Sequence, residues 1–115
     1  MKLELTYNEL CTQLNGKSVG VPFLERIQEV VYDTRKINPS SGLVFFALTG
    51  PFRSGESYIS AAYDKGVRVF VVNQVPVNNW SDASFIVVND TLVALQLLAK
   101  NYRYFRQYHL RLSTL

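Results

Sequence analysis

The sequence predicts an α/β domain built around a single sheet. Three observations carry that expectation. Short β-branched or wholly apolar segments alternate with segments whose apolar residues recur at helical spacing. No internal repeat, low-complexity tract or linker divides the chain. Its 115 residues suffice for one core but not for two. With 48% hydrophobic and 18% charged residues, the composition is that of a globular protein rather than a disordered one.

The elements follow in order. Thr6-Tyr-Asn-Glu9 has the form of a capping box, in which the Thr6 hydroxyl accepts from the amide of Glu9 and Glu9 reaches back. Leu10, Cys11 and Leu14 supply the apolar face of this short helix, and Gly16 is placed to end it. Residues 17–26, with Gly20 and Pro22, read as a loop. Ile27–Tyr32 is β-branched enough for a strand, and Asn38-Pro-Ser-Ser-Gly42 is a turn cluster. Leu43–Leu48 is apolar throughout, as a strand covered on both faces should be.

A helix is expected over Ser57–Lys65, burying Ile59 and Ala62 with Tyr58 at the margin, and Gly66 suits a left-handed C-terminal cap. Val67–Val72 is the clearest strand of the chain. Residues 73–84 are polar and carry Pro76, which suggests a surface connection, and Phe85–Val88 is a further short strand. Asp90 can cap a last helix in which Leu92, Leu95, Ala99 and Tyr102 form the apolar face. Gln96, Lys100, Arg103 and Gln107 line the opposite side. If the strands at 43–48 and 67–72 are parallel, the helix between them makes a right-handed crossover, and a ligand site is expected at loops beyond the strand ends.

Several chemistries are excluded or disfavoured. His109 is the lone histidine and Cys11 the lone cysteine, so no thiolate and imidazole set exists for a transition metal, and a nucleophilic triad lacks a base with an evident partner. His109 itself reads as an exposed residue. A single cysteine forms no internal disulfide, which fits a reducing cytoplasm, and Cys11 reads as a small apolar helix residue. The phosphate-binding pattern G-x-x-x-x-G-K-[ST] is absent; Gly16-Lys-Ser echoes only its tail and reads as a helix end followed by a loop. No apolar run approaches the roughly 20 residues of a membrane span, and Met1–Thr6 lacks the apolar core of a signal peptide. The net charge of +3 is too mild to announce nucleic acid, although it favours an anionic small molecule. Lys100, Arg103, Arg106 and Arg111 form a local basic surplus that reads as a solvated helix face.

What remains is a constellation in the first half. Asp33, Thr34 and Arg35 sit where a strand turns into a loop, offering an acceptor, a hydroxyl and a fork of donors. Such a set suits uracil or ribose edges and phosphate oxygens. It equally suits an Asx turn in which Arg35 pairs with Asp33. Downstream, Thr49-Gly50 and Ser54-Gly55 would let backbone amides approach a ligand closely.

In combination these segments resemble a known family. Val31-Tyr-Asp-Thr-Arg-Lys36, Leu43-Val-Phe-Phe-Ala-Leu-Thr-Gly50, Ser54-Gly-Glu-Ser-Tyr-Ile59, Ala62-Tyr-Asp-Lys-Gly66 and Val88-Asn-Asp-Thr-Leu-Val-Ala-Leu95 appear in order. This is similar to the N-terminal domain of the Mur ligases, the ATP-dependent amino-acid-adding enzymes of peptidoglycan precursor synthesis. The nearest type is the one that adds D-alanyl-D-alanine to UDP-N-acetylmuramoyl-tripeptide. Arg35–Pro39 and Gly66–Val72 also resemble the form of that ligase fused to an alanine racemase. The resemblance covers roughly residues 27–106.

It implies one domain over residues 1–115, with a small mixed sheet flanked by helices, holding the UDP end of the muramyl substrate. The implied substrate-binding residues are Asp33, Thr34 and Arg35 of the D-[ST]-R loop, Ala47, Leu48 and Gly50 of the next strand end, and Arg53, Ser54 and Gly55 of the loop after it. Ser54 stands where the family has Asp, and Glu56 where it has His or Tyr, so Ser54 is retained for its backbone alone. No catalytic residue, metal or cofactor is expected on this chain. ATP, Mg2+ and the ATP-binding and C-terminal domains belong to the rest of a longer cytoplasmic ligase, of which the chain is expected to be an isolated domain or a fragment. Neither nucleic acid nor membrane insertion is implied. The alternative is a stand-alone interaction or regulatory module that keeps the fold without ligase activity, a reading toward which Ser54 and Glu56 lean. Nucleic-acid binding through the Lys100–Arg111 helix rests on charge alone.

Overall fold

A computed structural model of the chain describes residues 2–37, 42–48, 55–76 and 80–101. Among these residues, six strands form one mixed sheet: β1 (Lys2–Leu5), β2 (Lys17–Gly20), β3 (Ile27–Val31), β4 (Leu43–Phe46), β5 (Val69–Val72) and β6 (Ser84–Val87). Their spatial order is β1-β3-β4-β5-β6-β2. The four central strands are parallel, and β1 and β2 pair antiparallel at the two edges, with β3 and β6 respectively. Helix α1 is Tyr7–Leu14, helix α2 is Gly55–Asp64, and the described part of a third helix, α3, covers residues 91–101.

β4 and β5 are apolar on both faces, and β6 is buried along most of its length, because both faces of the sheet are covered there. Val44 and Phe46 of β4, Val69 and Val71 of β5, and Ile86 of β6 pack beneath Leu10 and Leu14 of α1 and Ala94 and Leu98 of α3. The alternate residues Leu43, Phe45, Phe70, Val72 and Phe85 face Ile59 and Ala62 of α2. Parallel neighbours whose crossovers share one hand must send successive connections over the same face when the strand order advances in one direction. The packing obeys this. Ile37 after β3, α2 after β4, and Trp80 and Ala83 before β6 all join the second cluster. The other face is left to α1 and α3.

An aromatic row reinforces the α2 side. Phe45 meets Phe70 edge-on at 6.4 Å between centroids, Phe70 stacks on Phe85 at 5.5 Å, and Tyr63 stacks on Trp80 at 5.1 Å. At its outer end Arg68 lies over the Tyr63 ring and pairs with Asp82, to which the Tyr63 hydroxyl also donates.

Local signals explain most helix ends. The Glu9 amide donates to the Thr6 hydroxyl at 3.1 Å and the Thr6 amide to Glu9 Oε1 at 3.4 Å, so the expected capping box is formed. Asp90 Oδ1 accepts from the amides of Leu92 and Val93, which caps α3. Gly66 takes the left-handed conformation (φ 103°) expected after α2.

Four expectations need correction. Residues 17–26 are not all loop: Lys17–Gly20 is the edge strand β2, so Gly16-Lys-Ser runs from a helix end into a strand. Lys2–Leu5, where no element was expected, is the other edge strand. The left-handed residue that ends α1 is Asn15 (φ 51°), not Gly16. The buried face of α3 carries Thr91, Ala94 and Leu98, whereas Leu92 stands 47% exposed. Tyr102, Arg103, Arg106, Gln107, His109 and Arg111 lie outside the described residues, as do positions 38–41 of the turn cluster.

Gly42 enters β4 at φ 82°, and its carbonyl accepts from the amides of Gln28 and Glu29 at 2.8 and 3.2 Å. A Cβ at this position would stand 2.6 Å from the Arg26 carbonyl oxygen, with backbone on both sides of the contact. Gly42→Ala is therefore expected to destabilise the chain by about 1–3 kcal/mol, read as a lower urea midpoint. An unchanged midpoint would contradict the close approach.

Candidate functional site

The Asp33–Arg35 part of the expected constellation lies at the carboxyl end of β3, beside the end of β4. Val31 and Ile37 are buried on the α2 side, and the five residues between them must turn within that span. They do so through a single 3-10 turn, Thr34–Lys36, for which Asp33 is the N-terminal cap. Asp33 Oδ1 accepts from the Arg35 amide at 3.0 Å, and the Lys36 amide donates to the Asp33 carbonyl at 3.0 Å. Beyond β4, the Ala47 amide extends the ladder to the Val71 carbonyl at 2.9 Å. The Leu48 amide then folds back onto Phe46 O at 3.0 Å, ending the strand.

Between these two strand ends and α2 lies a cavity of about 390 Å³ lined by Tyr32, Asp33, Thr34, Arg35, Phe45, Leu48 and Tyr58. Its character is mixed: two phenols and a phenyl ring offer flat apolar surface, while the turn offers a carboxylate, a hydroxyl and a guanidinium. That combination matches the usual make-up of a small-molecule site, apolar walls with a few placed polar groups.

The structure realises one of the two readings of the turn directly. Arg35 is closed on Asp33 as a two-pronged pair, Nε to Oδ1 at 3.1 Å and Nη2 to Oδ2 at 2.9 Å. The guanidinium nevertheless remains 84% exposed, whereas the Asp33 carboxylate is largely covered. The anion therefore sits inward and the cation outward, where a bound anion can reach it. Hydrogen bonds from the Arg35 side chain and amide hold the Asp33 carboxyl down at about 2.

Of the expected site residues, Asp33, Thr34, Arg35 and Leu48 line the cavity together. Ala47 lies in the core beneath. Gly55 opens α2, placing the helix start on the same side as the strand ends. Gly50, Arg53 and Ser54 lie outside the described residues. Tyr32, Phe45 and Tyr58 were not expected in the site. Phe45 carries a usable signal, since it shares a face with Ala47, two residues on at the end of the strand. Among the described residues, no group of three or more His, Cys, Asp or Glu could hold a metal ion, and no helix is long and apolar enough to cross a membrane.

The Asp33 value fixes a pH dependence. A carboxyl held below its unfolded value near 3.9 contributes stability above that pH, and loses it as pH falls through about 2. An NMR titration of the Asp33 carboxyl should show a midpoint near 2 in the intact chain and a higher one, nearer the ordinary carboxylate range, in Arg35→Ala, which loses the guanidinium pair but keeps the residue-35 amide. A midpoint in the ordinary range in both proteins would mean that the pair does not persist in solution.

No family model matches the chain. Individual relatives do. It is 36% identical over 76 residues to the UDP-N-acetylmuramoyl-tripeptide–D-alanyl-D-alanine ligase of Bacillus subtilis, covering 66% of this chain and 16% of that protein. It is 32% identical over 107 residues to the UDP-N-acetylmuramoyl-L-alanyl-D-glutamate–2,6-diaminopimelate ligase of Phocaeicola vulgatus, covering 89% of this chain and 20% of that one. The 2,6-diaminopimelate ligase of Clostridium tetani is 33% identical over 78 residues, with 66% and 16% covered. The chain thus spans between about a sixth and a fifth of the length of these curated relatives. In fold it is similar to MurF of Acinetobacter baumannii, with a TM-score of 0.70 at 24% identity over 84% of this chain and 20% of the other. A second structure, the D-alanyl-D-alanyl ligase of the same organism, gives 0.72 at 23% identity over 84% and 21%. By sequence this chain belongs to the Mur ligase family, and its single α/β unit is similar in fold to part of a MurF structure.

Proposed function

We propose that the chain is the substrate-holding N-terminal domain of a Mur ligase of the D-alanyl-D-alanine-adding type, and that it docks the UDP end of a UDP-N-acetylmuramoyl-tripeptide. The observation that carries this reading is the cavity at the ends of β3 and β4. There the Asp33–Arg35 turn, matching the family's D-[ST]-R motif, faces the rings of Tyr32, Phe45 and Tyr58. A planar base fits against flat aromatic walls. Ribose hydroxyls fit the Thr34 hydroxyl and Asp33 carboxylate, and a diphosphate fits the exposed Arg35 fork. The backbone around Gly50, Arg53, Ser54 and Gly55 belongs to the same proposal, with Ala47 and Leu48 carrying the chain into it.

Holding a substrate needs position rather than chemistry, which accords with a site of donors and rings. ATP and Mg2+ would activate the substrate carboxyl as an acyl phosphate on the other domains of the same cytoplasmic polypeptide. The 36% identity to the Bacillus subtilis ligase supports the D-alanyl-D-alanine step, while the diaminopimelate-adding relatives make the preceding step the nearest competitor.

A second reading, an interaction or regulatory module with the same fold and no ligase activity, is favoured by the closure of Arg35 on Asp33, which satisfies the turn from within. A G-x-x-G-K-[ST] loop encoded beyond Leu115 would remove it.

Calorimetric titration of the chain with UDP-N-acetylmuramoyl-tripeptide tests the leading reading. Measurable binding is expected, weakened roughly tenfold or more by Arg35→Ala, because a charge-assisted pair to phosphate is lost. Binding that Arg35→Ala leaves unchanged would move the site elsewhere.

A further inference from the structure

The turn is held from outside as well as from within. A 3-10 turn leaves its last carbonyls without partners inside the turn. The Thr34 carbonyl oxygen accepts instead from Lys65 Nζ at 2.6 Å. Lys65 stands at the far end of α2, and its backbone is fixed there: its amide donates to the Ala62 carbonyl at 3.1 Å and the Gly66 amide to Tyr63 O at 2.9 Å, leading into the left-handed Gly66. From that anchored position the side chain reaches back to the motif 31 residues earlier in the chain. Tyr58, from the same helix, lines the cavity opposite the turn. One helix therefore supplies both a wall of the cavity and a tether for its polar rim.

We propose that Lys65 is a positioning residue for this cavity: by holding the Thr34 carbonyl it fixes the Asp33–Arg35 turn against α2 and so sets where the Arg35 fork meets an anionic ligand. The inference rests on the ligand-holding reading above, and adds to it a residue outside the cavity lining. The ammonium also adds a third cation, with Arg35 and Lys36, around the single Asp33 carboxylate, so position and simple attraction must be separated. Salt separates them, because attraction through solvent is screened at high ionic strength while a direct hydrogen bond that orders the turn is not.

The test uses the 115-residue chain with uridine diphosphate as probe, comparing Lys65→Met and Lys65→Arg with the unaltered sequence. Lys65→Met should weaken binding roughly five- to tenfold, a difference that persists in 0.5 M salt (about the level at which surface charge is screened), and Lys65→Arg should restore most of it. A loss that vanishes in high salt, or that Lys65→Arg fails to restore, overturns the positioning role. Amide hydrogen exchange at Arg35 and Lys36 supplies a readout without ligand: Lys65→Met should speed it severalfold while the urea midpoint stays within experimental error of the parent. Should the unaltered chain not bind uridine diphosphate, the ligand reading fails while the exchange result still decides whether Lys65 orders the turn. Unchanged exchange in Lys65→Met refutes the tether outright.

Discussion

The constraint on which this domain depends is that its central strands β4, β5 and β6 are buried on both faces. Val44, Phe45, Phe46, Val69, Phe70, Val71 and Phe85 are all essentially sealed from solvent. A sheet of that kind has no solvent-facing side, so helices must cover both surfaces. The single advance of strand order from β3 to β6 then commits every crossover to one face, and the opposite face falls to α1 and α3. The cavity follows from the same requirement. Where β3 and β4 end, the chain must leave the sheet over the α2 side, and the departing backbone, the first turns of α2 and the last ring of the strand face enclose a volume between them.

That central logic was legible in the residues. Strands that must be apolar on both faces announce themselves as unbroken runs, and β4, β5 and β6 did so within a residue or two of their observed limits. The capping box at Thr6 and the left-handed Gly66 were equally legible, because each is a local hydrogen-bonding or steric requirement. The edge strands were not. Lys17-Ser-Val-Gly20 needs only one paired side, and Val19 is its single apolar residue, so nothing in its pattern rises above a loop. The face of α3 was misread because its first buried residue is a threonine. A search for hydrophobic spacing starts from Leu92, whereas the Asp90 cap sets the helix so that Thr91 turns inward.

The site was legible in a different way. Asp33 and Arg35 stood out as charged residues at a strand end, and both arrangements open to them were visible: a self-paired turn and an anion site. The structure places them in the first without removing the second, since the carboxylate is partly covered and the guanidinium is exposed. Aromatic walls were harder to foresee. Tyr32 is a strand residue by pattern, and Tyr58 belongs to a helix face by pattern. Only the tertiary arrangement brings them to one cavity.

The two edge strands carry a consequence for how the chain comes to be folded. β1 and β2 are joined through the eight residues of α1, yet they sit at opposite margins of the sheet, so the amino-terminal segment crosses its whole width. Lys17 pairs with Val87, and Gly20 with Ser84. β2 therefore waits for β6, far along the chain, before its hydrogen bonds can close, whereas β1 needs only the nearer β3 and the parallel centre assembles from close neighbours. Topology of this kind delays closure of the β2 margin. Until then the open edge of β6 presents raw backbone to any other extended chain, and the docking of β2 is what ends that interval.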